Sequence, residues 1–337
     1  MAKPIRTTKF PGMDNVQRQG FRQGEGTEEA TTPLPVVLNM QVTTDQKLVK
    51  RMGFSLWQAM PGVHSLFWTG NEFLCAAAGS ASLESLWLVK RDKTMTELSP
   101  ISGVGDPLFY IPVNGLVYIS SRNWNGVYED GAVRSWGESF GDDIAEQDAS
   151  ANSEEMMLLN TIPAPPMENL LLAGGRIFGN FGARLWYNDP PMAYEMFRPD
   201  AFRDFPEPLT MIAKSVDGMY FASAERTWFA QGFDPAGWKL DTVGDGAVPG
   251  SLQVIPQLGN ANSVPVWVNH NGVQAGVGGG VQQVTQDKVR FDATGRAASL
   301  YRDQAGGQYL TNFPQPSDVG FGDSATCEVV RNGKLIQ

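Results

Sequence analysis

Short apolar runs alternate with tight-turn dipeptides along most of this chain. Each dipeptide lies between two runs rich in aliphatic and aromatic residues, such as residues 108–111 and 116–119. The six dipeptides are Asn71-Glu72, Asn114-Gly115, Gly174-Gly175, Asp217-Gly218, Asn271-Gly272 and Gly306-Gly307. Because Asn-Gly and Asp-Gly tolerate positive φ at both turn positions, they favour two-residue β-hairpins. The pattern therefore predicts six hairpins, and a further hairpin is predicted around Asn332-Gly333.

The spacing of these hairpins indicates a repeated unit. Successive dipeptides are 43, 60, 43, 54 and 35 residues apart, close to the period of four-stranded propeller blades, roughly 40–45 residues. A single hairpin cannot bury its faces, so repetition implies stacking. We predict an all-β fold, a β-propeller of six or seven four-stranded blades. In the seven-blade alternative, residues 34–58 and 325–336 combine into one blade, since propellers often close by mixing terminal strands.

The predicted propeller spans residues 33–337 and follows an extended N-terminal arm, residues 1–32. The arm is polar and Gly-rich, without an amphipathic period. Its basic residues are Lys3, Arg6, Lys9, Arg18 and Arg22. Two interpretations remain open: a disordered tail, or an assembly arm that becomes ordered against a neighbouring subunit.

The hairpin pattern is interrupted over residues 138–166. We interpret this segment as a long acidic and Pro-rich insertion between blades, which accounts for the 60-residue step. A short helix is predicted over residues 153–159, with Ser153 as its N-cap. Aromatic residues of the flanking hairpins are expected to pack between blades: Trp68, Tyr110, Trp186, Tyr220 and Trp267.

Charge is unevenly distributed in the chain. The net charge is −10, residues 1–53 carry eight Lys/Arg and five Asp/Glu, and the remainder is therefore −13. An acidic body argues against general binding to nucleic-acid phosphates. Two cysteines do not form a disulfide framework, which favours assembly in a reducing cytosol. No apolar run reaches the ~20 residues that a membrane-spanning helix needs.

Motifs of enzyme chemistry are missing from the sequence. His64 precedes a predicted strand and His270 lies at a predicted hairpin tip, and neither accompanies a Gly-x-Ser-x-Gly nucleophile motif. Zinc-type His and Cys spacings are absent. The 36 acidic residues make some carboxylate pair inevitable, so a glycosidase pair carries no signal. The sequence predicts no catalytic residues, no metal and no cofactor.

Several segments resemble virion proteins of tailed phages and prophages. Near the start, residues 10–16 read Phe-Pro-Gly-Met-Asp-Asn-Val, and residues 48–53 read Leu-Val-Lys-Arg-Met-Gly. The middle of the chain adds residues 175–177, 185–190, 225–235, 247–251 and 278–285. The resemblance spans most of the chain.

This resemblance implies a structural protein of a phage tail, most simply a nozzle or hub subunit around the DNA ejection channel. Nozzles of this kind are typically hexamers, which implies a ring that contacts other tail proteins such as the adaptor and fibres. Viral DNA would pass through it without sequence-specific binding. The implied location is the virion tail, after assembly in the cytoplasm of the host bacterium.

An acidic channel wall would not bind the DNA phosphates, because it lacks the Lys and Arg side chains that replace the counterions of DNA. Asp142, Asp143, Glu146 and Asp148 are therefore candidates for a channel or gate loop, and a solvated outer loop is the alternative. Two other functions remain open: a receptor-binding or glycan-binding propeller at a tail-fibre attachment site, and a glycan-cleaving propeller.

Overall fold

The computed structural model describes residues 40–42, 48–50, 57–79, 84–137, 161–256, 263–285, 295–302, 308–314, 324–330 and 335–336. The predicted arm, the acidic candidates at positions 142–148 and the predicted helix at 153–159 lie outside these residues.

The described residues form antiparallel β-strands and no α-helix, and the chain is an all-β propeller. Two short strands, β1 (Met40–Val42) and β2 (Leu48–Lys50), pair with each other. The first two four-stranded sheets contain β3 (His64–Trp68), β4 (Phe73–Ala78), β5 (Glu84–Val89), β6 (Met95–Pro100), then β7 (Phe109–Val113), β8 (Leu116–Ser120), β9 (Asn125–Glu129) and β10 (Ala132–Arg134).

Four further sheets follow in the same order along the chain. The third and fourth contain β11 (Glu168–Ala173), β12 (Arg176–Phe181), β13 (Arg184–Asn188), β14 (Phe197–Asp204), then β15 (Met211–Lys214), β16 (Gly218–Ala222), β17 (Arg226–Gln231) and β18 (Leu240–Asp245). The last two contain β19 (Gln253–Pro256), β20 (Ser263–Asn269), β21 (Gly272–Val277), β22 (Gly280–Gln283), then β23 (Ala298–Arg302), β24 (Gln308–Pro314), β25 (Ser324–Val330) and β26 (Leu335–Ile336). One 3₁₀ turn, Pro235–Gly237, separates β17 from β18.

The five predicted dipeptides that are described separate paired strands, so the hairpin prediction is confirmed for them. Gly306-Gly307 and Asn332-Gly333 lie outside the described residues. Four of these five join the first and second strands of a sheet, whereas Asn271-Gly272 joins the second and third strands, β20 and β21. The second strands begin at Phe73, Leu116, Arg176, Gly218, Ser263 and Gln308, in steps of 43, 60, 42, 45 and 45 residues. The repeat is thus more regular than the dipeptides suggest, apart from the step that contains residues 138–160.

Two of these dipeptides, Asn114-Gly115 and Gly174-Gly175, have positive φ at both positions, which explains the tight turns that they form. Asn114 and Gly115 have φ of 51° and 86°, and Gly174 and Gly175 have φ of 55° and 74°. Positive φ at both central positions is the geometry whose twist matches that of paired strands. Asp130-Gly131, which the hairpin prediction omits, makes the same kind of turn between β9 and β10.

The seven-blade combination is wrong for the strands that are described. β25 pairs with β24 over seven residues, and β26 pairs with β25, so the C-terminal strands complete the sixth sheet. β1 and β2 pair with one another. The long β24–β25 ladder satisfies the backbone groups that a shared blade would have used.

The chain divides into two compact units. The first contains Ser55–Ile212 and Phe233–Ala236, and the second contains Ala213–Gly232 and Gly237–Gln337 together with β1 and β2. In the first unit, one apolar cluster lies between the first and second sheets and another between the second and third. In the second unit, apolar residues of β20 and β21 pack with Tyr309.

The prediction for inter-blade aromatic residues holds for most positions. Tyr220 and Trp267 are fully buried with ring centroids 6.0 Å apart, and Tyr110 stacks on Phe67 at 4.9 Å. Trp186 packs against the cluster between the second and third sheets. Trp68 is the exception, since it is 37% exposed. It ends β3 opposite Phe73, on the sheet face that points away from the second sheet, and Arg91 lies over its ring.

The end of the predicted insertion packs into the first unit. Ile162 forms an isolated bridge with Phe197, and Ala164 is buried, with its carbonyl accepting a hydrogen bond from Asn125 Nδ2. Residues 162–164 therefore pack against strands of the second and third sheets.

Candidate functional site

The most distinctive polar groups of the first unit lie at the two ends of the seam between the first and second sheets. The seam itself is apolar: side chains from both sheets form one buried cluster that includes Leu74, Leu86, Val117 and Ile119. One end of the seam opens into a polar groove, and the other end carries His64.

The groove has a volume of about 640 Å³ and is formed by hairpin ends. It lies between the β3–β4 turn, the end of β5, the β7–β8 hairpin and the β9–β10 hairpin. Its lining residues are Thr69, Asn71, Glu72, Leu88, Lys90, Pro112, Val113, Asn114, Gly115, Leu116, Val117, Tyr128, Asp130 and Gly131. Leu88 and Val117 are buried and supply apolar surface from the seam. The polar residues other than Tyr128 are partly or fully exposed: Thr69, Asn71, Glu72, Lys90, Asn114 and Asp130. A volume in this range suits a small ligand, since such pockets measure ~300–1,000 Å³.

Tyr128 and Glu72 connect the two sheets at the groove. The Tyr128 hydroxyl donates a hydrogen bond of 3.1 Å to Glu72 Oε2. Burial raises the pKa of Tyr128 to about 12, and the hydrogen bond to Glu72 acts in the same direction. Tyr128 therefore remains a protonated donor at neutral pH and is not activated as a nucleophile.

The turn that carries Glu72 is fixed by its own hydrogen bonds. Thr69 Oγ1 donates to the Glu72 carbonyl at 3.1 Å, and the Glu72 N–H donates to Thr69 Oγ1 at 3.2 Å. The other two turns of the groove hold Asn114-Gly115 and Asp130-Gly131 at positive φ. Polar groups from three tight turns are thus held in place before any ligand arrives.

At the other end of the seam, His64 binds a buried carboxylate. His64 Nε2 lies 2.5 Å from Glu84 Oε1, and Glu84 is 5% exposed. The second carboxylate oxygen accepts the Gly105 N–H at 2.8 Å, which fixes the connection between β6 and β7. The carboxylate is therefore stabilised by two donors from different parts of the chain.

Ser65 completes a Ser–His–Glu sequence of contacts, because its Oγ lies 2.8 Å from His64 Nδ1. Ser65 also has a φ of 53°, which is unusual for a residue other than glycine. However, Ser65 Oγ accepts the Leu108 N–H at 2.9 Å, and the Ser65 carbonyl accepts the Tyr110 hydroxyl at 2.7 Å. The nearby N–H groups of Leu108 and Gly105 are thus occupied by protein acceptors, so neither is aimed at a developing oxyanion. This arrangement favours a structural role for Ser65, which joins the two sheets through hydrogen bonds, over a role as a nucleophile.

Two arginine–carboxylate pairs elsewhere in the first unit join neighbouring segments of the chain. Arg134 makes two hydrogen bonds to Glu195, at 2.9 and 2.5 Å, and Glu195 raises the pKa of the Arg134 guanidinium. Arg176 binds both the Asp189 carboxylate and the Asn188 carbonyl at 2.7 Å. These pairs hold the loop after β13 against its neighbouring strands.

The structure agrees with the sequence prediction for His270, and for His64 it reveals a contact that the sequence did not predict. His270 lies in the turn between Asn269 and Gly272 and is exposed, as predicted. His64, predicted as an ordinary polar residue, is the first residue of β3 and contacts Glu84 20 positions away. The sequence carries no signal for this pair, because the contact depends on the register between β3, β4 and β5.

The predicted assembly residues Lys3, Arg6, Lys9, Arg18 and Arg22 and the predicted gate residues Asp142, Asp143, Glu146 and Asp148 fall outside the described ranges. Within those ranges, no three His, Cys, Asp or Glu side chains are grouped as metal ligands. The same part of the chain contains no helix long and apolar enough to span a membrane.

No protein-family model and no curated protein matches the chain. Among solved structures, it is similar to the N-terminal domain of Nup159, with 9% identity and a TM-score of 0.44 over 85% of this chain and 78% of that one. It is also similar to a catalytically inactive virginiamycin B lyase from Staphylococcus aureus, with 9% identity and a TM-score of 0.41 over 81% and 86%. The tricorn protease matches at 12% identity and a TM-score of 0.31 over 86% of this chain, which spans only 26% of the protease.

Proposed function

We propose that this chain is a non-enzymatic structural protein of a phage tail, a nozzle or hub subunit that surrounds the DNA ejection channel. In this proposal the propeller is a rigid block, and other tail proteins bind its edges and loops. The subunits form a ring, most simply a hexamer, in the virion tail. The resemblance of several segments to tailed-phage virion proteins is the starting point for the proposal.

The observation that carries the proposal concerns residues 185–190, one of the segments that resemble tailed-phage virion proteins. Their polar side chains form hydrogen bonds within the fold. Asn188 is fully buried, accepts the Ile177 N–H at 2.6 Å and donates to the Pro190 carbonyl at 2.9 Å. Asp189 is bound by Arg176. The side chains that resemble the phage proteins therefore stabilise a hairpin and its loop, as expected for a scaffold.

Charge supports the same proposal. Residues 1–24 of the arm carry a net charge of +4, and residues 33–337 carry −11. This difference favours docking of the arm on an acidic neighbour, which a second copy of this chain would supply. An acidic channel segment, with Asp142, Asp143, Glu146 and Asp148, would let DNA pass without holding its phosphates. The arm and the acidic segment are thus proposed to serve assembly and passage, respectively.

Deletion of residues 1–24 from the gene in the phage genome tests the assembly proposal. We expect the truncated protein to keep its β-sheet circular dichroism and its melting temperature but to be lost from purified particles, as measured by quantitative mass spectrometry. A cryo-EM map of the wild-type particle should show the propeller in a ring around the channel. Normal incorporation of the truncated chain, or absence of the protein from particles, would contradict the proposal.

A further inference from the structure

We propose that the groove between the first and second sheets is a binding site for a neutral oligosaccharide. The groove-lining side chains that can form hydrogen bonds are Thr69, Asn71, Glu72, Lys90, Asn114, Tyr128 and Asp130. They include amides, carboxylates, an amine and hydroxyls, so donors and acceptors are both present. A ligand with many hydroxyl groups can use both kinds of group at once.

The apolar lining agrees with a sugar. Leu88 and Val117 present aliphatic surface between the polar hairpin tips. A pyranose has the matching arrangement, with C–H groups on its faces and hydroxyls around its edge. Ligand sites generally combine such apolar surface with a few placed polar groups.

Charge in the groove argues against a strongly charged ligand. Glu72 and Asp130 would repel a phosphate or sulfate, and Lys90 partly offsets their attraction for a cation. Lys90 and Asp130 are both exposed. These charges are therefore available to hydroxyl groups, and a neutral ligand avoids repulsion from either sign.

The Tyr128–Glu72 hydrogen bond prepares the groove for such a ligand. Tyr128 occupies Glu72 Oε2, and the Thr69 hydrogen bonds fix the turn behind it. Oε1 of Glu72 then remains as an oriented acceptor at the groove. Because the acceptor is already positioned, ligand binding does not require ordering of a long side chain.

Saturation-transfer NMR on the purified full-length protein tests this site with three neutral probes: maltotriose, cellotriose and triacetylchitotriose. We expect at least one trisaccharide to bind, with affinity reduced about tenfold or more by Glu72→Gln and by Asn71→Ala. Glu72→Gln keeps an oxygen acceptor for Tyr128, so its melting temperature should match the wild type. The matched control, Glu225→Gln, changes an exposed glutamate in the fourth sheet and should bind like the wild type.

Three results would overturn the proposal: no binding of any trisaccharide, binding unchanged by both groove variants, or binding of trilysine or inorganic phosphate in preference to the sugars. Failure of this test leaves the tail proposal standing, because particle incorporation and sugar binding are measured separately. Conversely, sugar binding by a protein absent from particles would support the groove alone.

Discussion

Glu84 is expected to be one of the most sensitive polar positions in the first unit. The change to test is Glu84→Ala. The wild-type carboxylate accepts hydrogen bonds from His64 Nε2 at 2.5 Å and from the Gly105 N–H at 2.8 Å. Alanine would leave both donors without this partner, at a site where the carboxylate itself is 5% exposed.

The expected loss follows from these two contacts. A hydrogen bond to a charged group is worth about 1.5–3 kcal/mol. Two such bonds would give about 3–6 kcal/mol, but the His64 side chain is 27% exposed and water can replace part of its bond. We therefore expect Glu84→Ala to lower the free energy of unfolding by about 3 kcal/mol. Glu84→Gln keeps one oxygen acceptor and should cost about 1 kcal/mol.

Urea unfolding followed by tryptophan fluorescence measures this loss, and hydrogen exchange locates it. The amide of Gly105 should lose protection in Glu84→Ala, whereas the exposed control Glu225→Ala should change neither stability nor exchange. A double-mutant cycle with His64→Ala should show coupling, because the two side chains share one bond. A loss below about 1 kcal/mol for Glu84→Ala, or an unchanged Gly105 amide, would refute the reasoning.

Two further predictions concern buried positions. Burial raises the pKa of Cys75 to about 11. In a Cys327→Ser background, Cys75 should therefore resist Ellman's reagent at pH 8 until urea unfolds the protein. Rapid labelling of the native protein would contradict this prediction. Because the folded-state pKa lies above that of an unfolded thiol, ~8.5, the contribution of Cys75 to stability should be complete below that pH and should be lost as pH rises toward 11. Gly276→Ala would place a Cβ 2.7 Å from the Tyr220 ring and 3.0 Å from Pro265, so thermal unfolding should show a loss of about 1–3 kcal/mol. The control Gly237→Ala, with no atom within 4 Å of its new Cβ, should change stability little, and equal effects of the two substitutions would refute the packing argument.

The hairpins could be predicted from the sequence because their signals are local. Asn114-Gly115 and Gly174-Gly175 accept the positive φ that a two-residue hairpin turn needs at both central positions, and the flanking apolar residues then pair. The recurrence of hairpins followed from the same signals, and it indicated stacked blades. The fold class was therefore accessible without any knowledge of long-range contacts.

The position of each hairpin within its sheet was not accessible in this way. Asn271-Gly272 looks like the other turn dipeptides, yet it joins the second and third strands of its sheet. Trp68 looks like the other strand aromatics, yet it is on the face of its sheet that points away from the second sheet. Local turn chemistry is the same in both hairpins of a blade, so only strand pairing distinguishes them.

The candidate site also depended on tertiary structure. The sequence by itself determined that strands, turns and an acidic body would be present, because residue type fixes φ preferences, apolar periodicity and charge. It did not determine that Glu72 would meet Tyr128, or that Glu84 would meet His64. Those pairs are 56 and 20 residues apart, and their contact requires strand register and the packing of one sheet against the next, which act between segments and leave no mark in either segment alone.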